Sequence, residues 1–559
     1  MLVPSDSKSV VENLSYNIPL QEYHGLKKEK AWDYSETETI PNGTITLERG
    51  LKSRHVQFIA YGGCVGTGLF ISTGSALLTC GPAPVLISYI IMSFVIFLVM
   101  NMLGEMTAYL PLPGNTPQKL IANYVDKSLG FACGYNYWYA FAMLVPTEIT
   151  SAGIVIQYWT ESVNIAVWIT IFFLFIVGVN FSPVKYFGEA EFFFSSVKLI
   201  AVVGLIILGV VIFFGGAPAE HGVLGFHYWK HPGAFVEHLA TGNTARFLDV
   251  WTAIVKSGLA FICSPELIAC SGGECVEPRR NLPKACNRFI YRLAFFYIGG
   301  TLVIGIMVPY TSDKLMGLSN ASASPFVIGI QNAGIKVLNH IINAVILISS
   351  LSSGNSFLYS SSRTLFSLAH DGMLWKCFTN VNRCGIPYYA VGLSSLISVL
   401  AYCNVSSSGS SVFNWFSNIS TISGFLGWIF VSVAYLRWRK AIRFHRVEDR
   451  VPYRTILQPY GAYFVIFFIS ILLLTNGYAV FFDFNASDFV AAYITLPIFV
   501  VLYVGHQIYE YVKFKRLRFA TPVEDIDVTT GLDIVEDEEQ TYEERKPRNV
   551  FEKIWFWIA

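Results

Sequence analysis

Charge is scarce in this chain, and the scarcity excludes several classes of protein at once. Asp, Glu, Lys and Arg make up only 14% of the 559 residues, while hydrophobic residues make up 53%. Soluble globular chains carry about 25% charged residues, so a soluble domain is excluded. Neither sign of charge dominates: the formal net charge is +1, which leaves no basic excess to neutralise phosphates and excludes nucleic acid as a partner. The ten cysteines are scattered, Cys64, Cys80, Cys133, Cys263 and Cys270 within apolar runs, with no metal-type spacing and no disulfide framework. A P-loop and any other catalytic motif are missing, so the expectation is a non-enzyme without cofactor or metal. The opening stretch, Met1 to Arg54, is polar, which predicts no cleavable secretory signal.

What the chain has is long apolar runs. A spanning helix needs about 20 mostly apolar residues. Twelve such runs are legible, at roughly 55–79, 83–110, 131–159, 165–182, 190–214, 250–271, 288–309, 334–360, 387–404, 412–436, 459–482 and 487–511. The expected architecture is an all-α membrane protein with the lipid bilayer as its surroundings. A tail of residues 1–54 precedes a transmembrane domain over 55–511, and a second tail covers 512–559. Basic residues sort to alternate loops. Arg279, Arg280, Lys284, Arg363, Lys376 and the run from Arg437 to Arg454 fall on one side, which the positive-inside rule makes cytosolic, together with both termini. Three N-x-S/T triplets, at Asn320, Asn404 and Asn485, fall on the opposite side and are candidate glycosylation sites.

Glycine is dense at one place. Gly62-Gly63-Cys64-Val65-Gly66-Thr67-Gly68 puts four glycines in seven residues inside the first apolar run. Each costs about 0.8–1.0 kcal/mol of helix propensity relative to alanine, so the helix is expected to open there. Backbone unwound at membrane depth is tolerated only where it lines a polar cavity or is buried in protein. Close helix packing through small residues is the alternative reading.

The sixth run carries a second irregularity, Phe261-Ile262-Cys263-Ser264-Pro265-Glu266. Proline removes a backbone donor, so the helix should break near Cys263. Runs 1 and 6 open two successive sets of five. Interrupted helices at matching places in two halves point to a transporter's binding site. Five spans per half is an odd number, which makes the two halves inverted repeats, about 55–214 and 250–436, with two additional helices over about 459–511.

Ionisable residues inside spans are functional candidates by default. They are Lys198 in run 5, Glu148 in run 3 and Glu266 in run 6, with Lys256 a turn and a half before the second break. Structural pairing, or snorkelling in the case of Lys256, is the competing explanation. Glu105 reads as a structural acid paired with a basic loop residue. The tails read as solvated linker, or as a regulatory platform. On the second reading Lys27, Lys28 and Lys30 would accept ubiquitin from a ligase and its adaptors.

The chain resembles the fungal amino-acid permeases of the amino acid–polyamine–organocation superfamily. The likeness runs through Gly50-Leu51-Lys52-Ser53-Arg54-His55-Val56-Gln57, Gly62 to Phe70, Gly104-Glu105-Met106, Gly273-Glu274, Glu277-Pro278-Arg279-Arg280, Pro283-Lys284-Ala285 and Ser362-Arg363. Within that family it is most similar to the proline-specific permeases, through Ser324 to Leu338, Phe413 to Trp428, Ala491 to Pro497 and Ile526 to Leu532. It departs at Glu277, where members mostly carry Asn, and it lacks the cysteine that many carry after the terminal aromatic run.

The resemblance implies a leucine-transporter-type fold and a plasma-membrane, proton-coupled importer of proline, with alanine, glycine or GABA as further substrates. It implies that the substrate carboxylate meets backbone donors at Gly63, Cys64, Val65, Gly66, Thr67 and Gly68. An opened helix end has such donors free. The substrate amine is expected at carbonyls left free near Phe261, Ile262 and Ser264, with Phe261 as the gating aromatic. Lys256 and the residue three positions on are expected to shape selection. That residue is Leu259, where proline permeases carry phenylalanine. Lys198 is expected to stand where sodium-coupled relatives hold their ion, with Glu148 and Glu266 as other proton carriers. A broad-range neutral amino-acid permease and a non-transporting amino-acid receptor are the rival readings.

Overall fold

A chain crossing lipid must satisfy its backbone hydrogen bonds within itself, and helices do so segment by segment. The computed structural model describes residues 58, 63, 66–541 and 549, apart from 112–115, 161, 219–221, 272–274, 276, 317–323, 407–408 and 516–518. Among the described residues every element is helical. The first run appears as a π-helical turn, Gly68–Ser72, leading into α1 (Thr73–Cys80). It is followed by α2 (Pro82–Tyr109), a short α3 (Pro117–Tyr124), α4 (Lys127–Ile156), α5 (Ile165–Asn180) and α6 (Val184–Phe213). The second half contains α7 (Gly242–Phe261), α8 (Ser264–Ser271), α9 (Pro278–Met307), α10 (Leu338–His370), α11 (Tyr388–Ser398) and α12 (Gly409–Phe444). The last part adds α13 (Tyr460–Thr475), α14 (Ala486–Tyr493), α15 (Thr495–Phe514) and α16 (Leu532–Thr541).

Nine helices among the described residues are long and apolar enough to cross a membrane, and α14 with α15, bent by 41°, makes a tenth. Two shorter apolar helices, Gly68–Cys80 and Ile165–Asn180, stand where the first and fourth runs were expected. The chain is thus a multi-pass helical membrane protein. Several helices outrun their apolar segments: α9 begins ten residues before the expected 288, and α10 and α12 end at His370 and Phe444 rather than near 360 and 436. Hydropathy marks only the part of a helix that lies in hydrocarbon. Arg279, Arg363 and Arg437 therefore sit on helix ends, not in loops.

Burial separates the core from the lipid-facing shell. The most apolar windows of α4 and of the α7–α8 pair are 89% and 83% buried, whereas those of α6 and of residues 460–481 are 28% buried. The broken helices and α4 thus form the centre, where polar side chains must find partners inside the protein.

The expected solvated linker at the second tail is partly docked. Ile526, Val528 and Leu532 are buried, and the Tyr109 hydroxyl donates to the Val528 carbonyl at 2.8 Å. Thr521 N–H donates to Val125 O at 2.7 Å, and Arg437 donates to Thr521 O. The acidic face of α16 meets basic residues of the loop after α12 and of the start of α9: Arg450 pairs with Asp533 and, at 2.7 Å, with Glu536, while Arg279 pairs with Glu539 at 3.1 Å. Opposite charges and three apolar anchors supply what the acidic segment lacks for folding alone. Glu105 is also satisfied differently from expectation. The Tyr435 hydroxyl donates to it at 2.6 Å and the Thr455 N–H at 2.7 Å, and no basic side chain among the described residues pairs with it directly.

Candidate functional site

Both expected interruptions are present and face each other. At the second, Ile262 is extended (φ −61°, ψ 152°) and Cys263 takes the left-handed conformation (φ 59°), which ends α7 and starts α8. Pro265 is the second residue of α8, where its missing N–H costs nothing. Ser264 and Pro265 start the new half-helix; the turn itself is made by Ile262 and Cys263. At the first break Gly66 forms a bend before the π-helical turn, and Leu69 N–H returns to Gly66 O at 3.3 Å.

The two breaks approach so closely that glycine is required. A Cβ on Gly68 would lie 2.6 Å from Ala260 Cα, and one on Gly66 would lie 2.7 Å from Ser353 Oγ and 3.1 Å from Glu148 Oε1. The packing and binding readings of the glycine run are therefore compatible: the glycines pack, and what they pack around is a narrow cavity. Gly63, Gly66, Thr67 and Gly68 line it from the first break, and Leu259, Ala260 and Ile262 from the second. Leu144, Thr147 and Glu148 of α4 and Phe357 of α10 complete the wall.

Glu148 is the ionisable group of that wall. The Thr67 hydroxyl donates to its Oε1 at 3.0 Å, while Oε2 has no hydrogen-bond partner among the described residues. Lys198, fully buried on α6, donates to Ser353 Oγ at 3.3 Å and acts electrostatically on Glu148. A carboxylate, a hydroxyl and the backbone of both breaks meet around this cavity, which in this structure has room for about one water molecule.

The remaining expected residues lie elsewhere. Cys64 and Val65 are outside the described residues. Lys256 points to α1, donating to Thr79 Oγ1 at 2.7 Å and Ser75 Oγ at 3.1 Å, and does not line the cavity. Those hydroxyls give the ammonium partners without the long reach that snorkelling needs. Phe261 is buried edge-on against Tyr297 (4.7 Å) and tilted against Tyr89 (5.4 Å). Its carbonyl is not free: Ser264 Oγ donates to it at 2.6 Å, and Tyr297 donates to the Ala260 carbonyl at 2.7 Å. Buried carbonyls at a break are satisfied locally, so neither Phe261 nor Ser264 lines the cavity. Glu266 sits apart, taking a 3.4 Å hydrogen bond from Tyr137 of α4.

Outside the core, Asn404 uses its amide nitrogen on Thr150 Oγ1 (2.8 Å) and Ala401 O (2.7 Å), which occupies the atom a glycan would need. Asn485 is exposed and caps α14 through Ser487 N–H. Asn320, Lys27, Lys28 and Lys30 lie outside the described residues. Sequence reasoning passed over Leu144, Thr147 and Phe357, which only tertiary packing brings to the site. It also passed over Glu191, a charge inside the same run as Lys198 and equally visible there.

The model of the amino acid permease family matches residues 55–519. The chain belongs to that family. It is 51% identical over 538 residues to the proline-specific permease of Emericella nidulans, covering 94% of this chain and 96% of that protein. It is 54% identical over 504 residues to the probable proline-specific permease of Schizosaccharomyces pombe, covering 89% and 90%. Among solved structures it is similar in fold to the Eremococcus coleocola manganese transporter in complex with an aromatic bis-isothiourea compound. The TM-score is 0.50 at 13% identity, over 83% of this chain and 95% of that one. That likeness concerns the fold alone. As an amino acid permease the chain is a transporter of amino acids, not an enzyme, and the cavity at the two breaks is its candidate substrate site.

Proposed function

We propose that this permease imports proline by proton symport across the plasma membrane, by alternating access, with both tails in the cytosol. The observation that carries the reading is the cavity closed by both broken helices with the Glu148 carboxylate in its wall. The names of the similar permeases support proline as the substrate. The small apolar wall of Leu144, Leu259, Ala260 and Phe357 suits a compact side chain that offers no hydrogen bonds. Backbone donors near Gly66 and Gly68 would take the carboxylate, and Glu148 the amine or the proton. The substrate is the partner bound in the site, protons are the coupling ion, and no cofactor is required. Ubiquitin attachment through Lys27, Lys28 or Lys30 belongs to the same proposal.

One observation favours a broader substrate range: Leu259 is an aliphatic wall of the cavity. A changed pocket wall is worth about 1–3 kcal/mol of discrimination, enough to admit alanine, glycine or GABA. Uptake of labelled proline in cells lacking their own amino-acid permeases, with unlabelled amino acids as competitors, separates the readings. Strict preference is shown by competition from proline alone. Competition across neutral amino acids supports the broad reading, and absence of uptake while the protein reaches the surface overturns both.

A further inference from the structure

Tyr89 of α2 and Tyr297 of α9 each send a hydroxyl to a carbonyl at one of the two breaks. Tyr297 donates to Ala260 O at 2.7 Å, and Tyr89 donates to Gly68 O at 3.2 Å. Both side chains are buried, and their rings meet edge to face at 5.6 Å. The residues that carry the two carbonyls also touch: a Cβ on Gly68 would lie 2.6 Å from Ala260 Cα. The first break, α2, α7 and α9 thus converge on one point.

The local cause is the break itself. α7 ends at Phe261, so the carbonyls of its last turn lose the amides that a continuing helix would bring. Ile262 N–H still reaches Gly258 O at 3.0 Å, and beyond it hydroxyls take over. Ala260 O accepts from Tyr297, and Phe261 O accepts from Ser264. A buried carbonyl without a donor is costly, so capping of some kind is expected at a break. The side from which the donor comes is not dictated. Gly68 and Ala260 line the cavity, whereas Tyr89 and Tyr297 do not. Each hydroxyl therefore engages a carbonyl of the cavity's own backbone from outside it. A substrate ammonium could otherwise have satisfied the same carbonyl from within.

A carbonyl oxygen has two acceptor positions, and each hydroxyl fills one. The cavity is thereby poorer in backbone acceptors at both breaks. Glu148 Oε2, with no hydrogen-bond partner among the described residues, is left to receive an amine. Amines differ in what they demand. A primary ammonium brings three N–H donors, and the secondary ammonium of proline brings two. A buried N–H left unpaired costs the desolvation of that group, so a scarcity of acceptors tells most against the primary amine.

We propose that Tyr89 and Tyr297 are positioning residues that set amine selectivity: holding the Gly68 and Ala260 carbonyls from outside the cavity, they withdraw acceptors from it and favour a secondary ammonium over a primary one. The proposal deepens the proline reading and rests on it. It differs from selection by the Leu259 wall, which acts on the side chain of the substrate and not on its nitrogen.

The test is competition against labelled proline uptake by the whole chain in cells lacking their own amino-acid permeases. Alanine is paired with N-methylalanine and glycine with N-methylglycine, so that each pair differs in amine class. Tyr297→Phe keeps the ring and frees the Ala260 carbonyl. It is expected to move the preference for the secondary amine about tenfold towards the primary one. Tyr89→Phe should move it the same way by less, its hydrogen bond being longer. Ser264→Ala frees the Phe261 carbonyl, which belongs to no cavity residue, and should leave the preference at the native value. For a variant that binds without transporting, the same preference is read as thermal stabilisation of the purified protein by each amino acid. A preference absent from the native chain, unchanged in both tyrosine variants, or shifted as far by Ser264→Ala overturns the proposal and leaves proline import standing. A native chain at the cell surface that takes up labelled alanine but not proline overturns the proline reading, and this proposal with it.

Discussion

The Thr67 hydroxyl donates to Glu148 Oε1 at 3.0 Å, so the first helix break and the central helix α4 share one hydrogen bond at the cavity wall. Opening the cavity by moving the broken helix away from α4 must disrupt this contact, which makes the carboxylate's surroundings depend on conformation. Hydrogen bonds to charged groups contribute about 1.5–3 kcal/mol, so Thr67→Val should lower transport about tenfold or more, read as initial rates of labelled proline uptake. Thr67→Ser, which keeps the hydroxyl, should stay near the native rate. Equal loss in both would contradict the hydrogen bond as the reason for the loss.

Gly68 and Gly178 make a controlled pair. A Cβ at Gly68 meets Ala260 Cα at 2.6 Å, whereas one at Gly178 has nothing within 4 Å. Gly68→Ala must push two backbones apart at the break, an overpacking cost of about 1–3 kcal/mol. It should lower the thermal stability of the detergent-purified protein and its uptake together. Gly178→Ala, in the helix α5, should be neutral or stabilising by about 0.4–1 kcal/mol. Equal effects of the two would contradict the close approach of α7 to the first break.

Leu259 is the wall residue with the clearest selective consequence. Leu259→Phe adds a ring beside Ala260 and Ile262, and a smaller cavity should favour proline over flexible substrates. The expected change is about 1–3 kcal/mol in relative affinity, a ratio of about 5- to 150-fold between proline and GABA in competition assays. An unchanged ratio would mean that this wall does not touch the substrate.

The docked tail has a pH signature. Hydrogen bonds from Arg450, aided by the nearby charges of Arg450 and Arg279, hold the Glu536 carboxyl below the usual carboxylate range. A carboxyl depressed in the docked state stabilises docking above its undocked value, and that contribution is lost as pH falls through the docked value. Acidification below the ordinary carboxylate range should therefore expose residues 526–541 to protease. Arg450→Gln should expose them at neutral pH. The apolar anchors Ile526, Val528 and Leu532 limit the effect to loosening. Protection that is flat across this range in the native chain would argue that the ion pairs contribute nothing to docking.

The sequence made the two breaks legible because their causes are local: glycine density at 62–68 and a proline two residues after Cys263. The helix positions were legible through hydropathy, except where α9, α10 and α12 continue past the apolar segment. Side-chain direction was not legible. Lys256 looked like a cavity residue, but the hydroxyls of Ser75 and Thr79, brought near only by folding, turn its ammonium to α1. Phe261 was read as a gate, and its ring is instead clamped between Tyr89 and Tyr297. The tail could have been read further, since Glu536 and Glu539 are acidic where Arg279 and Arg450 are basic, but no local pattern says that distant charges meet.

The central claim is that the cavity between the two breaks couples an amino acid to a proton through Glu148. Its most direct measurement is accumulation of labelled proline in proteoliposomes with an acidic exterior, for the native chain and for Glu148→Gln. The account predicts uphill accumulation by the native chain, abolished by a protonophore, and none by Glu148→Gln. Accumulation that survives the protonophore, or a Glu148→Gln protein that concentrates proline as the native chain does, would contradict it.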